Sequence, residues 1–393
     1  MDEVIVSVFA STDVGMQRTG NEDAFLVADL STGRVDMGSD ADPHQLGERG
    51  SMMVVSDGMG GAAAGEIASE LAVKTIREAL NDLPLELTLN ERLVKATELA
   101  NERIWEHARQ NPELTGMGAT VTAVLVHSGS AYIAQVGDSR AYLVRGDQIK
   151  QITKDQSLAQ MLLDSGVIRP EQAASVPQNV IMQALGTQPT VNVVLTSVEL
   201  CRDDCLLLCS DGLSNKIDAH EMYQAIRESP DLQSACKSLI ETANERGGED
   251  NITVIIARFE GEGLPLAVGR SSITGSLKVI NPRVETEDGP TIARQFIPFF
   301  NQSAAEADPY APREGVEPPP QETPAETPEE TAARGPVGAI PATAAPEEKN
   351  YTLILIFALI SLLLLGGAGF FIYKLYLKPP PPPPAEQVET PAG

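Results

Sequence analysis

Four aspartates stand where apolar runs stop. Ser51-Met52-Met53-Val54-Val55-Ser56 leads into Asp57-Gly58-Met59-Gly60-Gly61, and Ala134-Gln135-Val136 leads into Gly137-Asp138-Ser139-Arg140. Leu206-Leu207-Leu208-Cys209-Ser210 leads into Asp211-Gly212, and Asp250-Asn251 comes just before Ile252-Thr253-Val254-Ile255-Ile256. One Asp-Gly alone is an ordinary turn signal, because both residues favour turn conformations. Beside four of the most apolar stretches, the aspartates say more: a sheet made of those runs would gather the carboxylates at one rim, with little water between. Carboxylates crowded in that way repel one another and shift their pKa unless cations neutralise them. Hard oxygen ligands with no His or Cys pattern nearby point to Mg²⁺ or Mn²⁺ rather than zinc. The segment 12–23, TDVGMQRTGNED, adds Arg18, a planar cationic fork suited to a phosphate, beside Glu22 and Asp23.

These groups need elements to hold them. Short apolar runs of strand type occur at 4–10, 24–30, 51–56, 119–127, 130–136, 140–145, 192–199, 205–209 and 252–259. Two long amphipathic helices lie together in the sequence. Ile67, Ala68, Leu71, Ala72, Ile76, Ala79 and Leu80 make the apolar stripe of one, and Leu93, Ala96, Ala100, Ile104 and Ala108 that of the other. Shorter helices fit 156–165, 218–228 and 232–245. Most neighbouring runs are joined by short connections, so the sheets are expected to be mainly antiparallel, with helices packed outside them.

Taken together, RTGNED, VVSDGMGG, GMGATVTAVLV, AQVGDSRAYLVR, ITKDQS, LLLCSDGLS and EDNITVIIAR resemble the metal-dependent protein phosphatases, the protein phosphatase 2C family in its bacterial form. The resemblance covers roughly residues 7–259 in the family's order. It implies an α+β fold: a four-layer α-β-β-α sandwich of two mainly antiparallel sheets flanked by helix pairs. It also implies a serine/threonine phosphoprotein phosphatase with two divalent cations, Mn²⁺ or Mg²⁺, and a weaker third. By that resemblance Asp57 bridges the two metals, with the Gly58 carbonyl on one and Asp211 and Asp250 on the other. Glu22 and Asp23 hold metal-bound waters or the groups behind them, Asp138 serves the third site together with Asp211, and Arg18 grips the substrate phosphate. Such a pair of ions activates water for direct attack on phosphorus. Met59 departs from members that carry His there as a proposed proton donor, which suggests lineage rather than inactivity. The segment 157–185 falls where family members carry a variable flap beside the site.

Other phosphatase chemistries fail on residues. No cysteine is followed six positions later by Arg: Leu207, Asp211, Asn215 and Thr242 stand there instead. The one Asp-x-Asp followed by Pro, Asp40-Ala41-Asp42-Pro43, lies in a polar loop rather than after an apolar strand. His44, His107, His127 and His220 fall in none of the motifs, and Cys201, Cys205 and Cys209 read as core thiols. Two non-enzymatic alternatives remain: a catalytically silent phosphatase-like binding module, and a membrane-tethered scaffold working through the region after residue 260. The complete acidic set and Arg18 count against the first. The second would be favoured if deleting the linker abolished function while Asp57→Asn did not.

The chain has 393 residues and a formal net charge of −26, which excludes a basic nucleic-acid binder as a first reading. Proline concentrates after residue 300, so a folded front, 1–260, precedes an undecided stretch at 261–300, which either packs on the front or docks to a partner. A Pro/Glu-rich disordered linker is expected over 301–350. Residues 351–373 carry no charge and are long enough at about 1.5 Å per residue to cross a hydrocarbon layer of about 30 Å, which predicts one transmembrane helix. A Pro-rich tail occupies 374–393. Lys374 and Lys378 would favour placing that tail inside. Exporting the whole preceding chain would need a leader, however, and the chain opens on acidic Met1-Asp2-Glu3. The expectation is a single-pass protein of the cell membrane with a cytoplasmic, monomeric catalytic domain. Its partners would be phosphoserine and phosphothreonine proteins, a kinase or its substrates among them.

Overall fold

The longest apolar runs become the central strands of two sheets. The structure, a computed structural model, describes residues 3–280 apart from 36, 40–42, 178 and 268–272. The expected linker, transmembrane helix and tail lie outside those residues. Among the described residues no helix is long and apolar enough to cross a membrane.

The strands are β1 (Ile5–Asp13), β2 (Asp23–Asp29), β3 (His44–Gln45), β4 (Ser51–Met59), β5 (Gly118–Ala119), β6 (Val121–His127), β7 (Ser130–Val136), β8 (Arg140–Arg145), β9 (Gln148–Gln151), β10 (Val194–Glu199), β11 (Cys205–Cys209), β12 (Ile252–Glu260) and β13 (Leu277–Ile280). The helices are α1 (Ala62–Asp82), α2 (Leu89–Gln110), α3 (Leu158–Asp164), α4 (Asp211–Ser214), α5 (Ala219–Glu228), α6 (Leu232–Glu245) and α7 (Ile273–Ser276). One sheet has the order β3-β1-β12-β11-β8-β9. The other runs β13-β10-β7-β6-β4-β2, with β5 paired to β4. All of these pairings are antiparallel.

Strand β4 shows how the layers arise. Successive side chains of a strand point to opposite faces. Met53 and Val55 enter the core between the sheets, with Val8, Leu206, Leu208 and Ile255. Met52 and Val54 enter the core under α1 and α2, with Ala68, Ile76, Leu93 and Ile104. Both faces are covered, so the run reads as continuously apolar rather than alternating. On the far side of the first sheet, Leu207, Val254 and Ile256 meet Met222, Ile226, Leu239 and Ile240 of α5 and α6. The layers are helix pair, sheet, sheet, helix pair. Local signals agree with this order. At the start of α2 the Thr88 hydroxyl accepts from the Glu91 N–H, while the Glu91 carboxylate takes the Thr88 N–H at 2.8 Å.

Part of the stretch after residue 260 packs on this sandwich. Leu264 and Ile273 are buried, and β13 pairs with β10 from Leu277 opposite Val198 to Ile280 opposite Leu195. Arg145 and Asp204 form a buried ion pair at 2.6 Å beneath it. Arg145 also donates to the Ser276 hydroxyl at 3.0 Å, and Lys150 donates to the Thr274 hydroxyl at 2.7 Å. These polar contacts tie the short helix α7 down from two sides.

Candidate active site

The strand ends bring the acidic residues together at one rim. Strand β2 runs antiparallel to β4 with Asp23 opposite Asp57, so two carboxylates share neighbouring strands at the same level. Strand β4 continues three residues further than the apolar run suggests, carrying Asp57, Gly58 and Met59 into regular pairing. Gly58 has no room for a side chain: a Cβ there would collide with the carbonyl oxygens of Gly65 and Glu22. Its N–H donates to the Glu22 carbonyl at 3.0 Å, which locks the 18–23 segment against β4. Asp211 starts the short helix α4 directly after β11, and its Oδ2 accepts from the Asn215 side-chain amide at 3.1 Å.

Burial dominates the electrostatics of this rim. Asp57 is pushed well above the usual carboxylate range by desolvation, and further by Asp23, Asp211, Asp250 and Asp138. Asp23 rises to about 7 because it is buried, although the Thr253 and Ser210 hydroxyls each donate to its Oδ2 at 2.7 Å. Asp138, at the end of β7, also rises to about 7, through burial and then Asp211 and Asp155. Asp211 is raised by burial and by Asp250. Glu22 is raised by burial, with Arg18 pulling the other way. Each shift reports a preference against placing another negative charge here.

Two of the buried carboxylate oxygens, Asp23 Oδ1 and Asp211 Oδ1, have no hydrogen-bond partner. Oxygen donors, shared negative charge and two orphaned buried oxygens fit divalent cations. Even so, no three acidic side chains among the described residues already meet as the ligands of one ion. Asp250 shows why. Its Oδ2 accepts from the Arg18 guanidinium at 2.8 Å and its Oδ1 from the Asn251 N–H at 2.9 Å. Arg18, expected on phosphate, is therefore paired with an expected metal ligand. Both side chains are roughly half exposed, at 45% and 36%, so the pair is an easily exchanged surface contact.

One residue has a role that spacing did not reveal. Asn251 is buried, and its amide NH₂ donates to the carbonyls of Val14 and Gly20 while its Oδ1 accepts from the Glu22 N–H at 2.8 Å. It holds the Arg18 segment against the start of β12. Its place after Asp250 at a strand start was the available signal. Behind Asp138, Arg140 pairs with Asp155 at 2.7 Å, and the Gln156 side chain accepts from the Gly137 N–H. Met59 lies opposite Gly118 of β5 and brings no proton to the rim. His44 bonds Ser51, and His127 bonds the Glu48 carbonyl.

This geometry has known counterparts. The family model described as protein phosphatase 2C matches residues 37–254, more than half of the chain. This chain belongs to the protein phosphatase 2C family. The serine/threonine phosphatase stp of Listeria innocua is 39% identical over 209 residues, covering 52% of this chain and 83% of that protein. The protein phosphatase PhpP of Streptococcus pneumoniae is 34% identical over 255 residues, covering 64% of this chain and 96% of that protein. The crystal structure of the Mycobacterium tuberculosis phosphatase PstP/Ppp superposes with a TM-score of 0.56 at 34% identity, over 65% of this chain and 99% of that one. A PstP catalytic domain in complex with two manganese ions gives 0.54 at 33% identity, over 65% and 99%. This chain is a serine/threonine protein phosphatase of the metal-dependent class, and its cofactors are divalent cations.

Proposed function

We propose that this phosphatase is anchored in the cell membrane, with its catalytic domain on the cytoplasmic side. There it removes phosphate from phosphoserine and phosphothreonine of a protein kinase or of the kinase's substrates. The observation that carries the catalytic part is the set of buried carboxylates at one rim, Asp57, Asp23, Asp211 and Asp138, with Arg18 beside them. The anchoring rests on the uncharged run at 351–373.

Asp57, Asp211, Asp250 and the Gly58 carbonyl would hold two divalent cations, with Glu22 and Asp23 behind them and Asp138 at a weaker third position. When bound, the cations supply an activated water and neutralise charge on the phosphate. The protein's own groups do the rest. Asp250 and a substrate phosphate compete for the Arg18 guanidinium, and the dianion offers the fork a bidentate partner. Asn251 keeps the 14–22 segment in place while Arg18 changes partner. Ser210 and Thr253 orient Asp23 and restrict it to one oxygen facing the rim. Thr120, whose hydroxyl accepts from the Asp57 N–H at 3.0 Å, fixes the strand at the point where that carboxylate emerges.

The test uses the full chain and a phosphothreonine peptide. Turnover is expected with Mn²⁺, and its loss with EDTA or with Asp211→Asn. Metal-independent turnover, or none with any divalent ion, would overturn the mechanism.

A further inference from the structure

The residues on either side of Asp138 are held by a buried glutamine. Gln135 lies on β7 with 2% of its surface exposed, directly opposite the fully buried Thr122 of β6. Its side-chain NH₂ donates to the Gly137 carbonyl at 3.1 Å and to the Ser139 carbonyl at 2.7 Å. Its Oε1 accepts from the Thr122 hydroxyl at 2.7 Å. A primary amide is costly to bury unless it is paired, and here both ends of it are engaged. On the reading above that Asp138 serves a weaker third cation position, we propose that Gln135 is a positioning residue. It fixes Asp138 relative to Asp57, so that this position is in place before an ion arrives.

Backbone pairing cannot do this alone. Strand β7 ends at Val136 in one sheet and β8 begins at Arg140 in the other, so residues 137–139 cross between the sheets outside both ladders. Gly137 makes the crossing at a φ of +98°, and a Cβ there would lie 2.7 Å from the Thr120 side chain, so the turn is packed directly on Thr120. The Thr120 hydroxyl accepts from the Asp57 N–H at 3.0 Å and lies 2.7 Å from the Ser139 hydroxyl. Asp57 and Asp138 are thereby joined through one buried network of Thr120, Ser139, Gln135 and Thr122. A network of this kind rigidifies what it touches when its members are paired. From the other side the Gln156 N–H donates to the same Gly137 carbonyl at 2.9 Å, which closes the bracket.

An ion at Asp138 gains from a turn that is already fixed, because the ordering need not be done on binding. Gln135→Met keeps the length of the side chain and removes the amide. It need not unfold the chain. The Gly137 carbonyl keeps the Gln156 N–H, and the Thr122 hydroxyl, 3.0 Å from the Ser139 carbonyl, is freed to donate there.

Calorimetric titration of Mn²⁺ into the chelator-stripped full chain in detergent micelles separates tight from weak steps. Asp138→Asn should abolish the weakest step. Gln135→Met should weaken that same step roughly tenfold, the scale for groups that orient metal ligands, and leave the tighter steps unchanged. Thr122→Val, which removes the hydroxyl that holds the amide, should act in the same direction and decides the matter if Gln135→Met does not fold. Equal weakening of every step would overturn the proposal, because a bracket that merely stabilises the fold acts on all of them. So would a weakest step that Asp138→Asn abolishes and neither of the other substitutions changes. Binding unaltered by Asp138→Asn would remove the third cation position itself, and the role of Gln135 with it.

Discussion

Asp57 is the residue on which burial, neighbouring charge and strand geometry converge. Asp57→Asn keeps the shape and removes the charge. Turnover of a phosphothreonine peptide should fall by about 10²-fold or more, the scale for losing one electrostatic partner of a transition state, and calorimetry should show weaker Mn²⁺ binding. Arg18→Ala should act chiefly on substrate, raising KM by about tenfold or more, since a hydrogen bond to a charged group contributes about 1.5–3 kcal/mol. The carboxylates also set a pH response. Asp23 and Asp138 are raised from 3.8 to about 7, so the folded state holds their protons more tightly than the unfolded chain does. That stabilisation is complete below about pH 4 and is lost as pH rises through about 7. With a chelator present, the melting temperature should therefore decline between about pH 5 and 8. Mn²⁺ should abolish the decline and Asp138→Asn should reduce it. A flat profile in chelator would show that the two groups are not buried as described. The acids were legible in the sequence because each directly follows or precedes an apolar run. The Arg18–Asp250 pair was not, since the two lie 232 positions apart and only the fold brings them together.

At the scale of elements, periodicity carried most of the information. The stripes at 67–80 and 93–108 fall within α1 and α2, and the run 232–245 coincides with α6. Strand β13 was hidden: LKVI is four residues long, set among polar neighbours, and becomes a strand only because β10 offers backbone to pair with. The same holds for the ion pair beneath it, whose partners lie on β8 and on the turn between β10 and β11. Arg145 and Asp204 are almost fully enclosed, at 4% and 1% exposure, and Asp204 also accepts from the Cys201 N–H at 2.8 Å. Breaking one side of such a pair leaves a buried charge without its partner, which costs about 3–5 kcal/mol. Asp204→Asn should lower the denaturation midpoint accordingly, and the KM for a phosphopeptide should be unchanged below the transition. A small stability change would mean that water reaches Arg145.

The whole molecule joins an acidic catalytic sandwich to a sequence that reads as spacer and membrane anchor. Deleting 351–373 should move the protein from the membrane to the soluble fraction without altering turnover of a soluble phosphopeptide. Retention at the membrane would show that another segment does the anchoring. Truncation nearer the sandwich has a different consequence. In the second sheet β13 is the outermost strand, and its Lys278, 66% exposed, points a charge outward beside Glu199. A chain ending at residue 260 would bare the flank of β10, whose free N–H and C=O groups form a template for strands of other molecules. Light scattering should show such a fragment self-associating while a fragment ending at residue 280 stays dispersed. Dispersal of the longer fragment alone would assign the short strand after the catalytic sandwich a second task, guarding the enzyme against aggregation.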